Sequence, residues 1–174
     1  MRRRLAGALA VTAVCVLLFS LFATITRYVH YDFDSGVVDL GDGSTVSVLL
    51  QGTEHRTSSF PREVTYESPY DLYVFISGPA SNTAVFERVQ IIGARARKEQ
   101  LPEPLNLHRV DRSPEDVTAT VEKVSLAHDQ DYALRVHYRT GAGVAIKRNV
   151  VTVQLRRRVK REYRWPFWDA LMSV

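Results

Sequence analysis

Two patterns divide the chain. Leu5 to Thr26 runs for twenty-two residues without a charge, whereas beyond residue 36 apolar and polar positions alternate with period two and sustained helical periodicity is scarce. As a helix the first segment spans about 33 Å at 1.5 Å per residue, enough to cross a hydrocarbon core of about 30 Å. Arg2, Arg3 and Arg4 precede it, and Arg27 is the one basic residue in the twenty that follow. That asymmetry predicts a cytoplasmic N-terminus. Tyr28, His30 and Tyr31 then suit an interfacial aromatic belt, or simply begin the first strand.

Two other fates compete for this leader. A cleaved secretory signal has a shorter apolar region and a small-x-small exit site, but Leu21-Phe22-Ala23 places Leu where a small residue is wanted. Lipidation of Cys15 would require a small residue before the cysteine, and Val14 stands there. The expectation is an uncleaved signal-anchor over 5–26, with a cytoplasmic stub at 1–4 and a juxtamembrane linker at 27–36.

The remainder predicts strands. Val37 to Leu40 and Ser44 to Leu50 form a hairpin around Gly41-Asp42-Gly43, with Asp42-Gly43 supplying the positive φ of a tight turn. Leu72 to Ile76 is a five-residue apolar run suited to a central strand covered on both faces. In Phe86 to Ile92, Val89 and Ile91 alternate with Arg88 and Gln90. Val117, Ala119 and Val121 set one phase, Val124 and Leu126 the other, so a bulge is expected near Glu122-Lys123. Tyr132, Leu134, Val136 and Tyr138 share one face of the clearest strand, opposite Ala133, Arg135, His137 and Arg139. Val151, Val153 and Leu155 point inward along the last one. Between them, 94–116 is a long gap holding Pro102, Pro104 and Pro114, with a capped helical turn expected at Ser113–Asp116.

Within that pattern, Leu126 stands six residues before Tyr132, and Leu134 and Val136 follow. This segment resembles the entry to the penultimate strand of immunoglobulin-like and fibronectin type III domains, over residues 126–155. The resemblance implies an all-β, immunoglobulin-like antiparallel sandwich over 37–156, preceded by the transmembrane helix. It also implies a structural tyrosine corner, in which the Tyr132 hydroxyl bonds to upstream backbone beside Leu126. The paired cysteines of antibody domains are missing, since Cys15 is the chain's one cysteine. A sandwich by itself assigns no ligand.

Charge changes the picture only once mapped. The net charge is +4, yet residues 28–155 hold 13 basic and 17 acidic side chains. The body is mildly acidic and both ends are basic, which argues against a nucleic-acid-binding domain. His30, His55, His108, His128 and His137 stand apart, without metal-ligand spacing. His128-Asp129-Gln130-Asp131 is read as a polar turn rather than an acid–base or calcium site. Neither a nucleophile elbow nor a phosphate-binding glycine loop is present. No catalytic residue, cofactor, metal or small-molecule substrate is assigned.

The C-terminus, 157–174, departs most from an ordinary strand. Arg156, Arg157, Arg158, Lys160, Arg161 and Arg164 surround Glu162 for a net of +5, and Trp165 and Trp168 follow. Three readings stay open: a final strand running on with its aromatics packed over the fold, a tail on anionic membrane, or a docking peptide anchored by Arg and Trp. These eight residues are the candidate membrane or partner contact. The sequence thus predicts a single-pass inner (plasma) membrane protein with its domain periplasmic or extracellular. Its expected role is a non-catalytic binding or structural subunit of an envelope assembly, with an unidentified protein partner. The alternative is a small envelope hydrolase with a loop-built site.

Overall fold

A computed structural model describes residues 11–18, 25–57, 62–93, 104–105, 107–141 and 146–165. Among these described residues ten strands are formed: β1 Thr26–Ser35, β2 Val38–Asp39, β3 Thr45–Thr57, β4 Arg62–Ser77, β5 Val85–Gly93, β6 Pro104–Leu105, β7 Arg109–Arg112, β8 Asp116–Val124, β9 Tyr132–Thr140 and β10 Lys147–Arg164. The main path is β2-β3-β4-β1-β10-β9-β5-β6, with β8 joining β4 and β7 joining β8. The protein is mostly β, as its period-two alternation predicts.

The chain divides into two compact units. The smaller comprises Met1–Val29, Glu54–Thr65 and Lys160–Val174, and the larger His30–Thr53 and Tyr66–Val159. Strands β1, β3, β4 and β10 contribute residues to both. In the larger unit, one core gathers Val46, Val48 and Leu50 of β3 with Leu72, Val74 and Ile76 of β4. Val117, Ala119 and Val121 of β8 join it, as do Leu134, Val136, Val153 and Leu155 from β9 and β10. Each set occupies alternate positions, so each of these strands turns one face into the core. The Leu72–Ile76 run is covered unequally: Leu72, Val74 and Ile76 are inaccessible, while Tyr73 and Phe75 keep partial exposure.

Strand β4 changes neighbours along its length. From Tyr70 onward it runs antiparallel to β8, Tyr70 opposite Val124 and Ser77 opposite Asp116. Before that it lies beside β1. Arg27 meets Glu63 at 3.4 Å, and His30 stacks on Tyr66 with centroids 4.6 Å apart. Both indices rise together, so β1 and β4 are parallel and the sheet is mixed, not purely antiparallel as expected. Of the positions predicted as a juxtamembrane linker, 27–35 belong to β1 and Gly36 follows it. The short alternation of Val29, Tyr31 and Phe33 against His30, Asp32 and Asp34 explains this, with Val29 and Phe33 buried.

The phase slip between Val121 and Val124 is a bulge at Glu122-Lys123. Two residues there oppose the single Asp71, between the pairs Tyr70–Val124 and Leu72–Val121. Lys123 takes φ 56°, and its N–H donates to Asp71 Oδ1 at 3.2 Å. A positive φ on a residue with a side chain costs free energy that this hydrogen bond helps offset.

Two connections differ from expectation. The β2–β3 loop holds five residues, 40–44, with both Gly41 and Gly43 at positive φ, and Asp39 and Asp42 carboxylates accepting the N–H groups of Gly41 and Ser44. Ser113–Asp116 is no helical turn but the β7–β8 connection. The Ser113 hydroxyl does accept the Asp116 N–H at 3.1 Å, yet the chain then enters β8. A Ser followed three residues later by an acidic residue caps a turn of either kind.

Tyr132 and Leu126 are both buried. The Tyr132 hydroxyl accepts the Ala127 N–H at 2.8 Å and donates to the Ala127 carbonyl at 3.2 Å. Residues 11–18 are helical and exposed, and no helix among the described residues is long and apolar enough to cross a membrane. The rest of the predicted anchor, apart from Ile25 and from Thr26, which opens β1, lies outside the described residues.

Two outcomes test this packing by chemical denaturation. Tyr132→Phe should cost about 1–3 kcal/mol, because the Ala127 N–H loses its acceptor in a partly buried setting. Gly78→Ala should cost more than about 1 kcal/mol, since Gly78 has φ 88° and a Cβ there would lie 2.7 Å from the Gly43 carbonyl oxygen.

Candidate functional site

The final strand carries most of the predicted contact residues. Its ladder with β9 ends at Leu155 opposite Tyr132, where the inward face is still fully buried. The strand itself continues to Arg164, so residues 157–164 are not a separate tail. Alternation sorts the basic side chains: Arg156, Arg158, Lys160 and Arg164 fall on one face with Glu162, and Arg157 and Arg161 on the other. All six are exposed.

Local contacts hold parts of this run. In the larger unit, Arg158 lies 3.2 Å from Asp34, and the Arg157 N–H donates to the Asp131 carboxylate at 2.9 Å. In the smaller unit, Arg164 sits over the Tyr28 ring at 5.1 Å from its centroid. The Glu162 carboxyl is held below the usual range by hydrogen bonds from Lys160 and from Arg164. Exposed pairs of this kind contribute little to stability, because water screens them and two long side chains must be ordered. They orient the side chains more than they stabilise the fold. Trp165 is half-buried, and Trp168 lies outside the described residues.

A second cluster forms around His128, which the sequence placed in a polar turn. Its Nε2 is 3.7 Å from the Glu67 carboxylate, and its Nδ1 is 3.0 Å from the Tyr70 hydroxyl. A carboxylate, an imidazole and a hydroxyl in series form the arrangement by which enzymes activate a nucleophile. Here the hydroxyl is not available for that work. Tyr70 has no exposed surface, and its proton is committed to the Tyr31 carbonyl at 2.6 Å. A phenol has one proton to give, so His128 Nδ1 must donate to the Tyr70 oxygen. Burial, aided by the charges of Asp32 and Glu67, pushes the Tyr70 phenol well above its ordinary value of 10.0. Among the described residues, no group of three or more His, Cys, Asp or Glu is placed to hold a metal ion.

The register brings together residues that sequence reasoning did not connect. Arg135, His137 and Arg139 line the outward face of β9. The ladders then place Gln90 and Thr152 on either side of Arg135, Arg88 and Val150 beside His137, and Val85 and Arg148 beside Arg139. Arg88, Arg135, Arg139 and Arg148 are exposed, and the same face of β10 leads on to Arg156. The Glu87 carboxylate approaches Arg148 at 3.4 Å and is the acidic group of this face. His137 Nε2 donates to Gln90 Oε1 across 3.1 Å, and desolvation, then Arg88 and Arg135, hold its imidazole below the ordinary value of 6.5. The signal in the sequence was the Arg-x-His-x-Arg alternation of β9. Its neighbours were hidden because register between distant strands is not written in either strand alone.

Comparison of the chain with protein-family models, with curated proteins and with solved structures finds no match.

Tyr70 generates a pH prediction with a definite sign. Above about pH 10 the unfolded chain releases its phenolic protons while folded Tyr70 keeps its own. Stability is therefore fully present below that pH and falls as pH rises beyond it. Tyr70→Phe should reduce the slope of unfolding free energy between about pH 9 and pH 11, leaving the share of Tyr138, whose phenol burial also raises. Urea midpoints across that range, on both proteins, check it.

Proposed function

We propose that this chain is a single-pass, membrane-anchored subunit that displays an immunoglobulin-like domain outside the cytoplasm and works by binding rather than catalysis. The observation that carries the reading is the outward face of β5, β9 and β10. It presents a cluster of cationic side chains on hydrogen-bonded strands, whereas the carboxylate–imidazole–hydroxyl series of Glu67, His128 and Tyr70 ends in a buried phenol. Rigid strands hold a recognition surface at low entropic cost.

The fold part of the proposal is supported by connectivity. Strands β3, β4, β8 and β7 are neighbours in one run, and β6, β5, β9 and β10 in another, with the shared core drawn from both. The hydroxyl of Tyr132, near the start of β9, bonds to backbone five residues upstream, as a tyrosine corner does. The anchor rests on the twenty-two uncharged residues of 5–26 and the three arginines before them. The assembly is an envelope complex in which the domain meets a protein partner.

Membrane fractionation tests the anchor. The full chain should stay with membranes through alkaline carbonate and be released by detergent, with an N-terminus at or next to Met1. Soluble protein beginning near Thr24 would sink the anchored reading. Chemical crosslinking before solubilisation should yield a discrete heavier species containing this chain.

A further inference from the structure

The outward face of β5, β9 and β10 combines three properties that a merely solvated surface does not require. Arg139 and Arg148 stand directly opposite each other on paired strands. Like charges in that position destabilise a sheet. Arg148 has Glu87 for partial relief, while among the described residues no carboxylate pairs with Arg88, Arg135, Arg139 or Arg156. The face carries this repulsion although the body of the chain has acidic residues in excess. Within 85–93, 132–140 and 147–156, Glu87 is the one acidic residue.

The second property is composition. Every basic residue on this face is Arg, and Lys147 falls on the opposite side, beside Thr140. Guanidinium forks match carboxylates two bonds at a time and are weakly hydrated, so they suit a desolvated contact. Arg is enriched and Lys depleted where proteins meet proteins. The third property is the apolar filling between the charges. Val85 is 40% exposed beside Arg139, and Val150 is 58% exposed beside His137. Headgroup-binding surfaces add aromatic rings and lysines, and no Trp, Tyr, Phe or Lys faces outward from these three strands between Val85 and Arg156.

We infer that the face around Arg88, Arg135, Arg139 and Arg148 is the docking surface for a carboxylate-rich protein partner, which supplies the counter-charges this chain withholds. The inference rests on the binding role proposed above and names the chemistry of what is bound. His137 lies at its centre, 3.1 Å from Gln90 and between Arg88 and Val150. Docked carboxylates would offset the two arginines that disfavour its proton, so occupancy should be readable at that imidazole.

Full-length protein in neutral detergent is titrated with poly-L-glutamate as the carboxylate probe and, separately, with vesicles of phosphatidylcholine and phosphatidylglycerol. The expected result is salt-sensitive binding of poly-L-glutamate that weakens at least tenfold in the Arg135→Gln/Arg139→Gln double variant. The charge-matched Arg157→Gln/Arg161→Gln variant should change it less than twofold, and the melting midpoints of both variants should stay near wild type. The His137 imidazole should titrate at higher pH in the presence of the polymer. Equal losses in the two double variants would mean generic attraction to a polycation and would overturn the inference. So would tighter, Arg135- and Arg139-dependent binding to the anionic vesicles, which would assign the face to a membrane surface. Carbonate extraction and the crosslinked species read the anchored-subunit proposal independently, so that reading can stand while this one fails.

Discussion

Tyr70 sits where the sheet changes partners, and its buried hydroxyl is the interaction on which the larger unit turns. On one side of this residue β4 lies parallel to β1, and on the other it pairs antiparallel with β8. A strand that switches neighbours exposes backbone and opens a gap at the switch. The Tyr70 ring fills that gap without any accessible surface, edge-on to Phe33 with centroids 5.6 Å apart. Its hydroxyl then ties the Tyr31 backbone of β1 to His128 in the β8–β9 connection. Neutral bonds of this kind contribute only about 1 kcal/mol each net, but a phenol oxygen left buried and unpaired would cost more than that. The position is therefore narrowly specified.

The same corner explains why the bulge and Tyr132 belong together. The extra residue at Glu122-Lys123 lies beside the first β4–β8 pair, Tyr70 with Val124, and shifts the following residues by one. That shift returns both Val124 and Leu126 to the interior. Phe33 touches Tyr70 and Tyr132 edge-on at the same 5.6 Å separation, so the two buried phenols share one aromatic neighbour. Tyr132 in turn fixes the connection through Ala127. A parallel strand, a bulge and a loop are held in register by three rings.

Much of this was legible. The phase change at 122–123, the inward row of β9 and the burial of Leu126 and Tyr132 are local patterns, and strand alternation is local. What escaped is non-local. The length of β10 past Leu155 depends on β1, whose Asp34 and Tyr28 meet Arg158 and Arg164, and a basic stretch carries no alternation of its own. The parallel placement of β1 beside β4 leaves no trace in either segment. His128 was read as part of a polar turn because its partners, Glu67 and Tyr70, are some sixty positions upstream. The basic face needed two registers to appear at all.

That face also shows how a chain can be acidic in its body and cationic in its contact. Period-two alternation gives every strand a surface that the core does not constrain, so charge can be concentrated there at little cost to folding. In β9 the inward positions Tyr132, Leu134, Val136 and Tyr138 are aromatic or aliphatic, and the outward ones hold two Arg and one His. Packing fixes the first set and says nothing about the second. Choosing Arg opposite Arg between β9 and β10 therefore cannot be traced to the interior, and it opposes pairing of the strands that carry it. Charged edges protect sheets against aggregation, but β9 is an interior strand, flanked by β5 and β10. Its arginines guard no edge. A mainly cationic array at the centre of a sheet face, away from both the core and the edge, finds its physical rationale in what lies against that face.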